Sequence, residues 1–241
     1  MAEKTTIVIM VSVGDRSHLS DYTYPRLAKW AARHGYSCIL LKKNNSSAEK
    51  SPHFNKLIAH RDFPHFERYV IVDDDILISS EAPVLPEIPE GLIGLAKDAE
   101  QRNTEAPHIK WTANTGFIIA AKAELYLLEE AYKSGEYPFQ CGDRSGMGIW
   151  GPYDQGIVNH ILFDNEKIYQ LNWRWNYQPI LDYFINRGGG WEKWSTNCLV
   201  RFYYYATLLI SFSSNRKLLS KAYCVHLIRS THVSFFDKLV S

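Results

Sequence analysis

The sequence predicts an α/β protein with a mostly parallel, Rossmann-like central sheet flanked by helices. Three observations carry that expectation. Thr5 to Val13 is nearly continuous in β-branched and apolar residues, the pattern of a strand buried on both faces. An amphipathic helix and a second apolar run, Tyr36 to Leu41, complete a β-α-β unit, which implies a right-handed crossover and parallel strands. A third run, Tyr69 to Val72, drives into three carboxylates, Asp73-Asp74-Asp75, and turns apolar again at Ile76.

The elements follow in order. The first strand stops at Gly14-Asp15. Tyr24-Pro25 opens a helix through His34, with Leu27, Trp30 and Ala31 on one stripe, and Gly35 ends it. Lys42 to Pro52 is a polar loop, and Phe54 to Ala59 a short helix that brings Lys56 near the third strand. Glu81 to Glu90 is a proline-bearing loop, Gly91 to Ala96 a strand, and Lys97 to Lys110 a polar connection. Asn114-Thr115-Gly116 reads as a turn feeding the strand Phe117 to Ala120. Lys122 to Tyr132 is a helix, and Ser134 to Pro152 a glycine-rich loop suited to the edge of a ligand site. Asp154 to Phe163 is a helix with a carboxylate in its first turn. Ile168 to Leu171 is a short strand, Asn172 to Tyr177 an aromatic loop, and Lys221 to Ile228 a strand-like run around His226.

The acidic triplet is the chemical anomaly. Burying an unpaired carboxylate costs several kcal/mol or more, so something must compensate. On an extended backbone Asp73 and Asp75 share one face and Asp74 points to the other. Two carboxylates with substrate phosphates are a common way to hold a Mg²⁺-like cation. The alternative is a charged loop at a strand end. In open α/β sheets ligands bind at the carboxyl ends of strands, where this triplet and Ser12 to Asp15 both fall.

Composition narrows the function. The 241 residues can bury one sizeable core. With 46% hydrophobic and 22% charged residues the chain has the make-up of a folded enzyme. Lys+Arg number 27 against 26 Asp+Glu, so no basic excess exists for phosphate-backbone binding and a nucleic-acid partner is not expected. Cys38, Cys141, Cys198 and Cys224 form no CxxC pair, which argues against a zinc cluster and for a reducing, cytoplasmic setting. No secretory leader is read at the N-terminus. The longest apolar run, Leu199 to Phe212, contains Arg201 and three tyrosines, and reads as a core or interfacial segment, not a membrane span.

Four features in order resemble the metal-dependent glycosyltransferases of the GT-A fold. They are Asp73-Asp74-Asp75 after an apolar strand, Asn114-Thr115-Gly116 before Phe117-Ile118-Ile119, Asp154-Gln155 opening a helix with Asn159 beyond, and Trp175-Asn176-Tyr177. Order and spacing are similar to the retaining members related to glycogenin, lipopolysaccharide galactosyltransferases and galactomannan and xyloglucan α-transferases. Ala31-Ala32-Arg33-His34-Gly35-Tyr36 adds to the likeness, which covers roughly residues 5–230. The compact form also resembles the viral glycosyltransferase domains that chlorella viruses use on their capsid glycoprotein.

The resemblance implies a GT-A fold, a mixed and mostly parallel sheet in one domain over 1–241, with a nucleotide-binding half at 5–80 and a donor-sugar and acceptor half at 90–230. It implies transfer of a sugar from a nucleotide-sugar donor, a UDP-sugar, to a glycan or glycoprotein acceptor, with retention and with Mn²⁺ or Mg²⁺ as cofactor. Asp73 and Asp75 become metal ligands and Asp73 also a ribose contact, with Asp74 beside them. His226 is the third ligand, although the glycine usual after this histidine is missing; His232 is the alternative. Ser12, Val13, Gly14 and Asp15 would hold the base and ribose. Lys56 and Arg61 are candidates to neutralise phosphate.

Asn114 and Gly116 would lie beside the sugar, with Asp154 and Gln155 stabilising positive charge on it. Asp154 also reads as a helix N-cap. In an inverting enzyme Asp154 or Asp98 would be the base. Trp173, Trp175 and Tyr177 read either as an acceptor wall or as core. A monomer is expected. Two other functions compete: a sugar-phosphate nucleotidyltransferase, for which Gly14-Asp15-Arg16 offers only one glycine, and a non-catalytic glycan-binding module, which needs no buried acidic triplet.

Overall fold

Thr6–Val11 (β1) lies between Ser37–Leu41 (β2) and Arg68–Asp73 (β3), parallel to both. The computed structural model describes residues 5–99, 111–136, 153–183, 198–228 and 232–240. The sheet continues through Ala113–Ala121 (β6), Ile93–Lys97 (β5) and Ile168–Leu171 (β7) in the order β2-β1-β3-β6-β5-β7. β6 is antiparallel to β3 and β5, and β7 is parallel to β5. Ile76–Ile78 (β4) forms a separate two-stranded sheet with Cys224–His226 (β8). Most of the glycine-rich 134–152 run, most of the polar 97–110 connection and Gly188 to Gly190 fall outside the described residues.

The central strands are apolar on both faces because helices cover both. Ile7, Ile9, Tyr69 and Ile71 pack with Leu125–Ser134 (α3) and Tyr153–Asp164 (α4). Val8, Met10, Val70 and Val72 pack on the other face with Leu27, Trp30 and Ala31 of Ser17–Arg33 (α1). Each such fully buried side chain stabilises the fold by roughly 1.5–3 kcal/mol. A third cluster lies behind β4 and β8, where Leu77, Val225 and Leu227 meet Pro179–Tyr183 (α5), Cys198–Leu209 (α6), Ser214–Leu219 (α7) and Val233–Asp237 (α8).

Three expectations need correction. α1 starts at Ser17 and not at Tyr24, so Pro25 lies inside it. Leu19 and Thr23 extend the buried stripe of Leu27 and Trp30 toward the N-terminus, while Pro25 is on the exposed side, where water can serve the carbonyl it leaves without a donor. Asn114-Thr115-Gly116 is not a turn before the strand but part of β6. Its turn chemistry is nevertheless present, because Asn114 Oδ1 accepts the Gly116 N–H at 2.9 Å. That bond accompanies a register break, in which Leu95 opposes Ile118 while Ala96 opposes Asn114. The Lys221 to Ile228 run contributes only the three-residue strand β8.

Candidate active site

β3 ends at the carboxyl edge of the sheet, and Asp73 is its last residue. Strand alternation puts Asp73 on the same face as Tyr69 and Ile71. There Lys56, from the short helix Asn55–Ile58 (α2), reaches it with Nζ 2.7 Å from Oδ1. The same ammonium lies 3.3 Å from Asp154 Oδ2 at the start of α4 and donates to the Thr115 carbonyl at 3.3 Å. Thr115 Oγ1 donates to Asp154 Oδ2 at 2.8 Å. Lys56 is only 3% exposed. Burial alone would lower its pKa, but Asp154 and Asp73 outweigh that and raise it. The lysine is therefore a fixed, buried cation, not a solvated surface charge.

Asp74 points the other way. Arg16 clamps it through Nε at 2.7 Å and Nη2 at 2.6 Å, and Thr23 Oγ1 donates to its carbonyl at 2.8 Å. Burial pushes the Asp74 carboxyl up despite Arg16, whereas the Arg16 guanidinium is itself raised by Asp74. Two short, parallel hydrogen bonds describe the ionised pair, so the geometry decides for a charged Asp74. The clamp ties the start of α1 to the end of β3.

Asp75 faces His226. The imidazole Nε2 is 3.1 Å from Asp75 Oδ1, within ion-pair distance but outside hydrogen-bond geometry, so that buried oxygen has no hydrogen-bond partner. Burial works against both charges. The imidazolium nevertheless lowers the Asp75 carboxyl, and Asp75 raises His226. One ligand atom each from Asp73, Asp75 and His226 lie within 4.8 Å of one another. Two carboxylates, one of them with the orphaned buried oxygen of Asp75, and one imidazole nitrogen are donors a divalent cation takes. The residues present fit such an ion. His232, the alternative ligand, packs instead on Tyr205 at 5.3 Å between ring centres.

A chain of amides stands behind His226. His226 Nδ1 is 2.9 Å from Asn176 Oδ1, Asn176 Nδ2 donates to Asn114 Oδ1 at 2.8 Å, and Asn114 Nδ2 donates to Gln155 Oε1 at 3.1 Å. Gln155 Nε2 then donates to Asp98 Oδ2 at 2.6 Å. The Gly116 N–H also donates to Asn114 Oδ1, and a backbone N–H only donates, so that atom is the acceptor and the amides of Asn176 and Asn114 point one way. His226 must then carry its proton on Nδ1, which frees Nε2 for a ligand bond. Asn176 reaches this position because its segment is stitched to β8: His226 N–H donates to the Tyr177 carbonyl at 2.7 Å. Gly116 leaves the space for the ring, since a Cβ there would meet His226 Cε1 at 2.4 Å. Asn159 holds β6 on α4 by bonding both main-chain groups of Ala113, at 2.7 and 2.8 Å.

The end of β1 opens on the same edge. Ser12 is buried with its N–H on the Leu41 carbonyl, Val13 is half-buried, and Gly14 and Asp15 are exposed. Gly14 has φ +94°, a conformation that favours glycine. Arg61 lies elsewhere, paired with Glu129. Trp175 is core and not an acceptor wall: it is 3% exposed and stacks on Phe117 at 5.5 Å. Tyr177 is also buried, and of the three only Trp173 is exposed. A cavity of about 690 Å³, lined by Arg26, Lys29, Arg33 and Lys238 among others, contains none of these site residues. Sequence reasoning missed the Arg16 clamp and the Asn176 anchor. For Asn176 the only signal was its place in Trp175-Asn176-Tyr177.

Neither a protein-family model nor a curated protein matches the sequence. Solved structures do match in shape. A glycosyltransferase involved in the glycosylation of the major capsid of PBCV-1 superposes with a TM-score of 0.59 at 13% identity, over 98% of each chain. The galactosyltransferase LgtC, solved with donor and acceptor sugar analogs, gives 0.56 at 12%, over 97% of this chain and 95% of its own. The bifunctional glycosyltransferase WbbM gives 0.57 at 12%, over 99% of this chain and 50% of its own. The chain therefore has the GT-A fold of these glycosyltransferases, a mixed, mostly parallel six-stranded sheet flanked by helices.

Proposed function

We propose that this protein is a metal-dependent glycosyltransferase that moves a sugar from a nucleotide-sugar donor, a UDP-sugar, to a glycan or glycoprotein acceptor with retention of configuration. The observation that carries the reading is the convergence of Asp73, Asp75 and His226 at the carboxyl end of β3, with Asp75 Oδ1 buried and without a hydrogen-bond partner. These three residues would hold Mn²⁺ or Mg²⁺. When bound, such an ion supplies charge neutralisation for a departing diphosphate.

The protein groups have separate tasks in this reading. Residues 5–80 form the nucleotide half, with Ser12, Val13, Gly14 and Asp15 around base and ribose. Residues 90–230 form the sugar and acceptor half. Asn114 and Gly116 flank the donor sugar, and Asp154 and Gln155 present negative charge and an amide oxygen to its developing positive charge. Lys56 holds Asp154 in place, and so acts as a positioning residue. Asp74 is committed to Arg16 and braces the nucleotide side instead of binding the ion.

A panel of UDP- and GDP-sugars with Mn²⁺ tests the reading through melting temperature and slow donor hydrolysis. At least one UDP-sugar should stabilise the protein in a metal-dependent way. The reading is lost if no nucleotide-sugar does. Asp75→Ala should abolish metal-dependent turnover and keep the fold; unchanged activity would remove the site assignment.

A further inference from the structure

α6 is apolar on two opposite faces. Tyr204 and Leu208 are buried against Leu77, Val225 and Leu227. The opposite face is displayed: Phe202 is 72% exposed, Tyr203 62% and Leu209 66%, and Phe212, just past the helix, is 78% exposed. At 3.6 residues per turn, Phe202, Tyr203, Ala206, Leu209 and Ile210 share a stripe roughly 120° wide. Single exposed apolar residues are ordinary, but a contiguous stripe of this kind marks an interaction surface.

Charge identifies the occupant. Between Glu192 and Asp237 the sequence has no acidic residue, while it carries Lys193, Arg201, Arg216, Lys217, Lys221 and Arg229. The whole chain is only +1, so the remainder is net acidic. Arg201 of α6, Lys217 of α7, which bonds to α6 through Asn215 and Thr207, and Lys221 just past α7 are exposed. A second copy docking through the same patch would set these cations against themselves. An anionic bilayer surface instead meets both features, with acyl chains for the aromatic and aliphatic residues and phosphates for the cations. Among the described residues no helix is long and apolar enough to cross a membrane, so α6 would lie in the interface plane.

We propose that α6 and the turn through Phe212 dock this protein on anionic membranes, with Phe202, Tyr203, Leu209 and Phe212 inserted at the headgroup boundary. The buried side of α6 packs behind β4 and β8, the strands adjoining Asp75 and carrying His226. Docking would therefore hold the candidate site one layer from the lipid surface. The argument is independent of the glycosyltransferase reading.

The test is co-sedimentation of the full chain with phosphatidylcholine vesicles, with and without phosphatidylglycerol, at low and high salt. Binding should require the anionic lipid and weaken with salt. The double substitution Phe202→Ser, Phe212→Ser should reduce binding at least tenfold and leave melting temperature and Mn²⁺ affinity unchanged. Absence of binding to anionic vesicles overturns the proposal, as does equal binding by the folded double variant. A dimer by light scattering that the double variant dissociates, without vesicle binding, would also overturn it and give the stripe to a second copy.

Discussion

His226 Nδ1 sits 2.9 Å from Asn176 Oδ1, and this contact turns Nε2 toward Asp75. Asn176 thereby fixes which imidazole nitrogen is available as a ligand, without being a ligand itself. Asn176→Ala removes the anchor and leaves Asn114 Oδ1 without one of its donors. Mn²⁺ affinity, read by calorimetric titration, should fall about 10–100-fold. An unchanged affinity would show that packing alone orients the ring.

Gly116 is predicted to tolerate no side chain. A Cβ there would lie 2.4 Å from His226 Cε1 and 2.7 Å from Nδ1, atoms of a ring held on both sides. Gly94 is the control, because its nearest obstacle, at 2.7 Å, is the flexible end of Ile88. Gly116→Ala should abolish measurable Mn²⁺ binding, whereas Gly94→Ala should cost some stability and keep the ion.

Lys56 is expected to be structural as well as functional. Lys56→Met leaves the buried Asp154 carboxylate without its cation, and Asp73 without one of its partners. Removing one partner of a buried pair costs about 3–5 kcal/mol. Part of Asp73 meets solvent, so the lower end applies. Urea denaturation should show that loss, and Lys56→Arg should restore some of it. A Met variant as stable as wild type would refute the account.

Proton and metal should compete at Asp75 and His226. Asp75 titrates below its ordinary 3.8 in the folded chain, so its contribution is present above that value and is lost as pH falls through the depressed one. His226 titrates above its ordinary 6.5, so its contribution is full below that value and is lost as pH rises through the raised one. The metal-free protein should therefore gain most from this pair between the two. Mn²⁺ needs Nε2 without its proton, so affinity should climb with pH through the raised His226 value, releasing about one proton per ion. Affinity flat across that range would exclude His226 as a ligand.

The parallel strands were legible because burial on both faces leaves a plain signature: runs such as Ile7 to Met10 and Tyr69 to Val72 contain no polar residue. The acidic triplet was legible for the opposite reason, as charge where burial was expected. Long-range polar pairs had no such signature. Arg16 and Asp74 are 58 positions apart, and Asn176 and His226 are 50 apart, and nothing local to either member names its partner. Trp175 shows the same limit. An aromatic in a polar loop reads equally as wall or as core, and only its stacking on Phe117 and its edge contact with Trp30 decide.

The pairing of β4 with β8 sets Ile76 directly opposite His226. Asp75 comes from the first third of the sequence and His226 from near its end, so an ion between them would close a loop holding most of the chain. Such an ion works as a staple as well as a cofactor. At a free concentration about 100 times its dissociation constant it would add about 2.7 kcal/mol to the folded state. The lifetime of the folded chain would then follow the ionic composition of its surroundings, and a chelator would hasten unfolding before any substrate is present.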